Sequence, residues 1–330
     1  MYLIIKNAQM KDIAAPVAKE AIMMELTPDK LLRRTNKGDN EIFVVTYHDS
    51  PNTMHEIGRL REITFRDAGG GTGKDLDIDQ YDINENPYRQ LIVWDPDARE
   101  ILGGYRYILG KGLREDENGD VQLATARLFH FSEEFKKKYL PFTLELGRSF
   151  VQPEYQSSKA GAKALFALDN LWDGLGALTV DHPEIKYFFG KVTMYTHFNV
   201  EARNLILYFF QKYFRDTENL VYPKKPMALN LDTEALEKVF NGGSYKEDYR
   251  ILTQQVREYG ENIPPLINAY MNLSPSMKTF GTVLNDRFGE VEETGIIVTI
   301  RDIYEAKKDR HIETYIKGKD SINNAFPEIK

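Results

Sequence analysis

The chain has 330 residues, enough for one large domain or two ordinary ones, each with a full core. Hydrophobic residues at 42% and charged residues at 28% mark a globular rather than a disordered protein. The net charge of −7 argues against a general attraction to nucleic acid, and the absence of cysteine removes disulfides, thiolate metal sites, iron–sulfur clusters and any acyl-thiol intermediate on the protein.

Residues 1–40 read as an N-terminal helical segment. Ala14–Leu26 has amphipathic spacing, and Thr27 or Asp29 caps a second helix through Leu32. The opening MYLIIKNAQMKDIAAP turns polar too early for a signal peptide, and no window approaches the ~18 apolar residues of a membrane span. The expectation is a cytoplasmic protein whose membrane contact is at most peripheral, at the inner face. Residues 41–225 form the main domain. Glu41–Tyr47 is β-rich, Ser50–Pro51 opens a helix that runs to the glycines at 69–71, and Gln90–Trp94 and Ile101–Leu109 are strands joined at Asp95-Pro96-Asp97. Gln122–Leu128 reads as extended, Ser132 caps a short helix to Tyr139, and Phe142–Val151 is a strand ending at Pro153. Ser157 or Ser158 then opens the long helix Ala160–Leu178, followed by the strand Ile185–Met194 and the helix Val200–Phe214. Past Pro223 and Pro226 the composition shifts, and 226–330 reads as a C-terminal subdomain. It has helices at Leu231–Phe240 and Tyr245–Tyr259, a short one after Pro264-Pro265, and a strand at Ile296–Ile303. This order describes an α/β chain with a central sheet flanked by helices.

Two motifs fail on inspection. The loop AGGGTGKD (68–75) lacks the Ser or Thr that a phosphate-binding loop needs after Lys74, and a helix rather than a strand precedes it. Asp75, Asp77, Asp79 and Asp82 lack the Gly and Glu of a calcium loop, so no metal site is expected. The alternation with Leu76 and Ile78 suggests an extended segment with one face inside. None of the six histidines is followed by Asp four residues on, and no G-x-S-x-G elbow occurs.

The informative feature is charge inside apolar strands: Arg106 in GGYRYIL, and Glu145 and Arg148 in LELGRSF. Buried charges are costly unless paired. Side chains alternate along a strand, so Glu145 and Arg148, three apart, point to opposite faces unless a bulge intervenes. After that strand, a polar turn with Gly161 leads into a helix, whose N-terminal amides suit a phosphate.

Together these pieces resemble the acyl-homoserine-lactone synthases and their relatives in the GNAT acyltransferase superfamily, above all the bacterial ornithine- and glycine-lipid N-acyltransferases, often labelled hemolysin-like. The resemblance lies in Arg61 with Phe65, Asp79-x-Tyr81-Asp82, Gly103-x-x-Arg106, and Glu145-Leu146-x-Arg148 followed by Pro153 and Tyr155, in that order over roughly residues 55–180. PPLINAYMNLSPSMKTFG and the strand GIIVTIRDI resemble the C-terminal part of the amino-acid-lipid enzymes. The pyrophosphate motif is blurred, since Gln156 stands five residues before Gly161, and the lactone synthases' Trp after the helix is absent.

The resemblance implies the GNAT (acyl-CoA N-acyltransferase) fold, with a mixed central sheet and a C-terminal α/β extension. It implies transfer of a long-chain (3-hydroxy)acyl group to an amino acid, glycine first and ornithine second. The donor would be an acyl-carrier protein, or else acyl-CoA, as co-substrate, with no permanently bound cofactor. Glu145 would act as base or water-positioning group, with Arg148 and Arg106 organising charge. Asp79 and Asp82 would pair with Arg61 or Arg106. Backbone amides at Phe150–Val151 would receive the thioester carbonyl, and the turn through Gln156, Ser158, Lys159, Gly161 and Ala162 the pantetheine phosphate. Lys136–Lys138, Lys159 and Lys163 are candidates for docking an acidic carrier. Two other readings stay open: an acetyl-CoA-dependent N-acetyltransferase of a small amine, and a non-enzymatic hemolysin-like membrane-associated protein. A long-chain enzyme calls for an apolar tunnel, for which Phe188, Phe189, Phe198, Phe209 and Phe210 are candidates.

Overall fold

A computed structural model describes residues 10–117, 119–156, 161–229 and 231–316, with 161–165 as backbone alone. Its strands are β1 (Leu31–Arg34), β2 (Glu41–Val45), β3 (Arg89–Asp95), β4 (Glu100–Leu109), β5 (Phe129–Phe131), β6 (Thr143–Val151), β7 (Tyr187–Met194), β8 (Val221–Pro223), β9 (Lys278–Asn285) and β10 (Val291–Thr299). Its helices are α1 (Lys19–Glu25), α2 (Pro51–Asp67), α3 (Gln80–Ile83), α4 (Gly161–Asp181), α5 (Val200–Tyr213), α6 (Thr233–Val239), α7 (Tyr245–Glu258), α8 (Pro265–Met271) and α9 (Glu305–Lys308). The α/β class expected from the sequence is the one observed. Two compact units divide the chain: 1–109 with 144–186 and 304–330, and 110–143 with 187–303.

In the first unit β1, β2, β3, β4 and β6 lie side by side, each antiparallel to the next. Leu91 and Tyr105 are opposite one another and share one face. That face carries α4: Gly174 seats against the Leu91 side chain, and the Tyr105 hydroxyl donates to Leu171 O at 3.3 Å. Gln90 and Arg106, also opposite one another, point to the other face, where Arg61 of α2 reaches them. The C-terminal segment packs on the far side of α4. Gly176 meets the His311 backbone, His311 Nδ1 lies 2.7 Å from Asp173 Oδ1, and the Tyr315 hydroxyl donates to Asp181 at 3.0 Å.

In the second unit β10 lies between β7 and β9, antiparallel to both, and β5 pairs with β8. Phe188, Phe189, Phe209 and Phe210 are buried there, with Phe209 packed among Tyr213, Phe214, Phe240 and Tyr245. Lys136, Lys137 and Lys138 each meet an acid: Glu115 and Glu133 at 3.3 and 3.2 Å, Glu133 at 3.2 Å, and Glu134 at 2.8 Å. Among the described residues no helix is long and apolar enough to cross a membrane.

Several local expectations are corrected. The first helix is only Lys19–Glu25. Pro28–Lys30 is a single helical turn, and Leu31 and Leu32 belong to β1, because pairing with β2 supplies more backbone hydrogen bonds than a capped short helix would. Ala124–Arg127 is a helical turn rather than extended chain. The strand near 296 is shifted to Val291–Thr299, and its partner β9 was not foreseen. Gly281, at φ 87°, interrupts the β9 pattern with an irregularity that hides its alternation.

Candidate active site

The strand register assembles the site. Arg106 on β4 lies opposite Gln90 on β3 and Gly147 on β6. Residues two apart share a face, so Glu145 points the same way as Arg106 and Gln90. Between Arg106 and Gly104 the β6 partner advances from Gly147 to Phe150, three residues against two, so β6 carries one extra residue. Arg148 sits in that bulge with φ 53°. A left-handed conformation costs a non-glycine residue about 1–2 kcal/mol, which neighbouring contacts must offset. Here the Arg148 guanidinium reaches Asp77 (Nε–Oδ2 2.8 Å) and Asp79 (3.8 Å), and Asp79 also pairs with Arg106. The bulge therefore brings Arg148 to the side that Glu145 and Arg106 occupy.

The carboxylates come from a short stretch between α2 and β3. Leu76 and Ile78 pack on Gly58 of α2, yet Asp77 is buried as well, so both sides of this extended segment face inward. Asp79 caps α3 by accepting from Tyr81 N at 2.9 Å, and Asp82 returns the favour by accepting from Asp79 N at 3.1 Å. This box fixes both acids against Arg106. Its Nη1 donates to Asp79 Oδ1 at 2.8 Å and Asp82 Oδ2 at 3.0 Å, and its Nη2 to Asp79 Oδ2 at 2.9 Å. Arg61, fully buried, lies 3.4 Å from Asp82 and donates to Gln90 Oε1. Gln90 in turn donates to Asp82 at 3.0 Å and to Tyr88 O at 3.1 Å.

Electrostatics follow from this packing. Burial pushes Asp79 upward, but the Arg106 charge and hydrogen bonds, aided by Arg148, hold it well below the usual carboxylate range. Asp82 is likewise held down, with Arg106 and Arg61 outweighing its burial. Burial lowers Arg61, whereas Arg106 is raised well above the ordinary guanidinium value because Asp82 and Asp79 outweigh its desolvation. Both acids are ionised at neutral pH.

The fourth acid, Glu145, is buried and accepts a hydrogen bond from the Tyr88 hydroxyl through Oε2. The Arg106 guanidinium lies 5.0 Å from the centre of the Tyr88 ring. All six charged residues singled out in the sequence thus fall in one neighbourhood of the first unit. Asp77, Tyr88 and Gln90 join them and were missed. Gln90 carried a signal, being polar two residues before Ile92 on an inward face.

Phe150 is buried and Val151 half-buried. Gln152 N donates to Leu102 O at 3.0 Å, so the ladder alternation turns the Val151 N–H away from β4. Gln156 donates from Nε2 to Val151 O at 2.5 Å. Gly161 and Ala162 begin α4. Ser158 and Lys159 lie outside the described residues, as does the Lys163 side chain. The glycine loop at 69–73 wraps a carboxylate of its own helix: Glu62 accepts from Thr72 N at 3.1 Å and Gly73 N at 2.8 Å.

Known proteins resemble this chain both in this region and over nearly its full length. Residues 60–165, which hold the whole charged network, match the acetyltransferase (GNAT) domain family. The chain is 60% identical over 308 residues to a glycine N(alpha)-acyltransferase of Phocaeicola vulgatus, covering 93% of this chain and 94% of that protein. It is 58% identical over 309 residues to a glycine N(alpha)-acyltransferase of Bacteroides thetaiotaomicron, covering 94% and 92%. No solved structure matches the chain.

Proposed function

The chain belongs to the GNAT N-acyltransferase family, and on that premise we propose that it moves a long-chain (3-hydroxy)acyl group from an acyl-carrier-protein thioester to the amine of glycine, in amino-acid lipid synthesis. The observation that carries the acceptor is the 60% identity, over nearly the full length, to an enzyme named for glycine.

The chemistry needs a free amine, a polarised thioester carbonyl and a departing thiol. The amine nitrogen attacks the carbonyl carbon, the C–N bond forms and the C–S bond breaks. Glu145 takes the proton that the nitrogen loses, directly or through one water, and that proton ends on the departing sulfur. No bond to the enzyme is required. Arg148 is the better candidate for the glycine carboxylate: its side chain is 13% exposed, whereas both terminal nitrogens of Arg106 are committed to Asp79 and Asp82 at 3% exposure. Val151 N–H is the amide best turned to receive the carbonyl.

The test combines lipid extracts and purified enzyme. Mass spectrometry of cells expressing the chain should show a new long-chain N-acylglycine. With acyl-carrier protein and glycine, Glu145→Gln should lower kcat about 10²–10⁴-fold, and Arg148→Ala should raise KM for glycine. Full activity in either variant removes that residue. A preference for acetyl-CoA overturns the chain length, N-acylornithine overturns the acceptor, and equal use of acyl-CoA overturns the carrier.

A further inference from the structure

Tyr88 is one of the buried groups of the site that the reaction itself does not employ. Tyr88 is 1% exposed, follows Pro87 just ahead of β3, and directs its hydroxyl at Glu145 Oε2. Its backbone carbonyl is held by Gln90 Nε2, itself tied to Asp82 and Arg61. Its ring stands edge-on to Tyr81 with centroids 5.8 Å apart, and Arg106 lies over it. Backbone and ring face are therefore held by Gln90, Tyr81 and Arg106, none of which depends on Glu145.

We infer that Tyr88 is the positioning residue of this enzyme: its hydroxyl orients the Glu145 carboxylate and keeps it ready to take the amine proton. A carboxylate's terminal torsion is broad and roughly two-fold. A strong donor on Oε2 narrows that torsion and favours the ionised form. The inference rests on the reading of Glu145 as the base. The charged groups around the pair are Arg106 on β4, Arg148 on the same strand as Glu145, Arg61 on α2, and Asp77, Asp79 and Asp82 ahead of β3. Both Asp79 and Asp82 are held ionised by arginine, so neither titrates in the range where the assay reads Glu145.

The experiment compares wild type, Tyr88→Phe, Glu145→Gln and the double variant with long-chain acyl-carrier protein and glycine between pH 5.5 and 9. Tyr88→Phe should lower kcat about ten- to a hundredfold, from a hydrogen bond to a charged group worth roughly 1.5–3 kcal/mol, and leave KM for glycine within about twofold. The acid limb of the kcat profile should move toward higher pH by about one unit. In the Glu145→Gln background the same change should cost less than about twofold. An unshifted limb, or an equal loss in the Glu145→Gln background, overturns the inference and leaves the base assignment standing. An active Glu145→Gln enzyme overturns the base assignment itself. Should Tyr88→Phe fail to fold, 3-fluorotyrosine placed at position 88 alone keeps the shape and donates more strongly. It should then move the limb toward lower pH, and an unmoved limb refutes the role.

Discussion

Replacing Arg106 by Met tests whether the buried network holds the first unit together. Arg106 is 3% exposed and makes three charged contacts of 2.8, 2.9 and 3.0 Å to two acids. Its loss leaves Asp82, fully buried, with Arg61 at 3.4 Å as its nearest named cation, and Asp79 with Arg148 at 3.8 Å. Removing one member of a buried ion pair typically costs about 3–5 kcal/mol. For a unit of this size that is a fall in Tm of roughly 10 °C. The pH dependence gives a sharper check. Both acids have folded-state values below their unfolded ones, so the stability they contribute is present above the unfolded value of about 3.9 and is lost as pH falls through the folded value. Without Arg106 the stranded carboxylates are relieved by taking up protons. The gap between wild type and Arg106→Met should therefore narrow from pH 7.5 to 4.5. Urea unfolding at several pH values measures it. A gap under about 1 kcal/mol, or one that stays constant with pH, would refute the reasoning.

Two further outcomes concern backbone geometry. At position 148 Gly should be more stable than Ala by about 1 kcal/mol in thermal or urea unfolding, since only the left-handed φ separates them, while neither restores the cation lost from Asp77. Equal stability would mean that the bulge relaxes when Arg148 is removed. Gly176→Ala would place a Cβ 2.2 Å from His311 O, so limited proteolysis should cut the segment after Tyr304 faster than in wild type, with a loss of about 1–3 kcal/mol. Unchanged protection would refute it.

Composition and hydrophobic period made the α/β class legible, and charge inside apolar strands pointed to Arg106, Glu145 and Arg148. Asp79 and Asp82 were recognisable only through their resemblance to a family pattern, because a run of aspartates in a loop otherwise reads as solvated. What stayed hidden was the extra residue in β6. LELGRSF alternates no differently with or without a bulge, and only the register against β4 shows that Arg148 changes sides. Tyr88 lay in the polar run NENPYRQ, where nothing local announces that the ring turns inward. Leu31 and Leu32 failed for another reason: a four-residue edge strand has too little sequence to outvote a plausible helix cap.

Gly174 and Gly176 sit two positions apart on α4, which at 100° per residue places them on nearly opposite sides of the helix. One faces the Leu91 side chain on β3 and the other the main chain at His311, so the helix is gripped on both flanks at a single level. Where main chain meets main chain, at Gly176, no torsion can swing aside to accommodate a shift. Lateral drift of α4 toward His311 is therefore resisted by backbone alone, and a side chain larger than hydrogen at 176 would push the two segments apart.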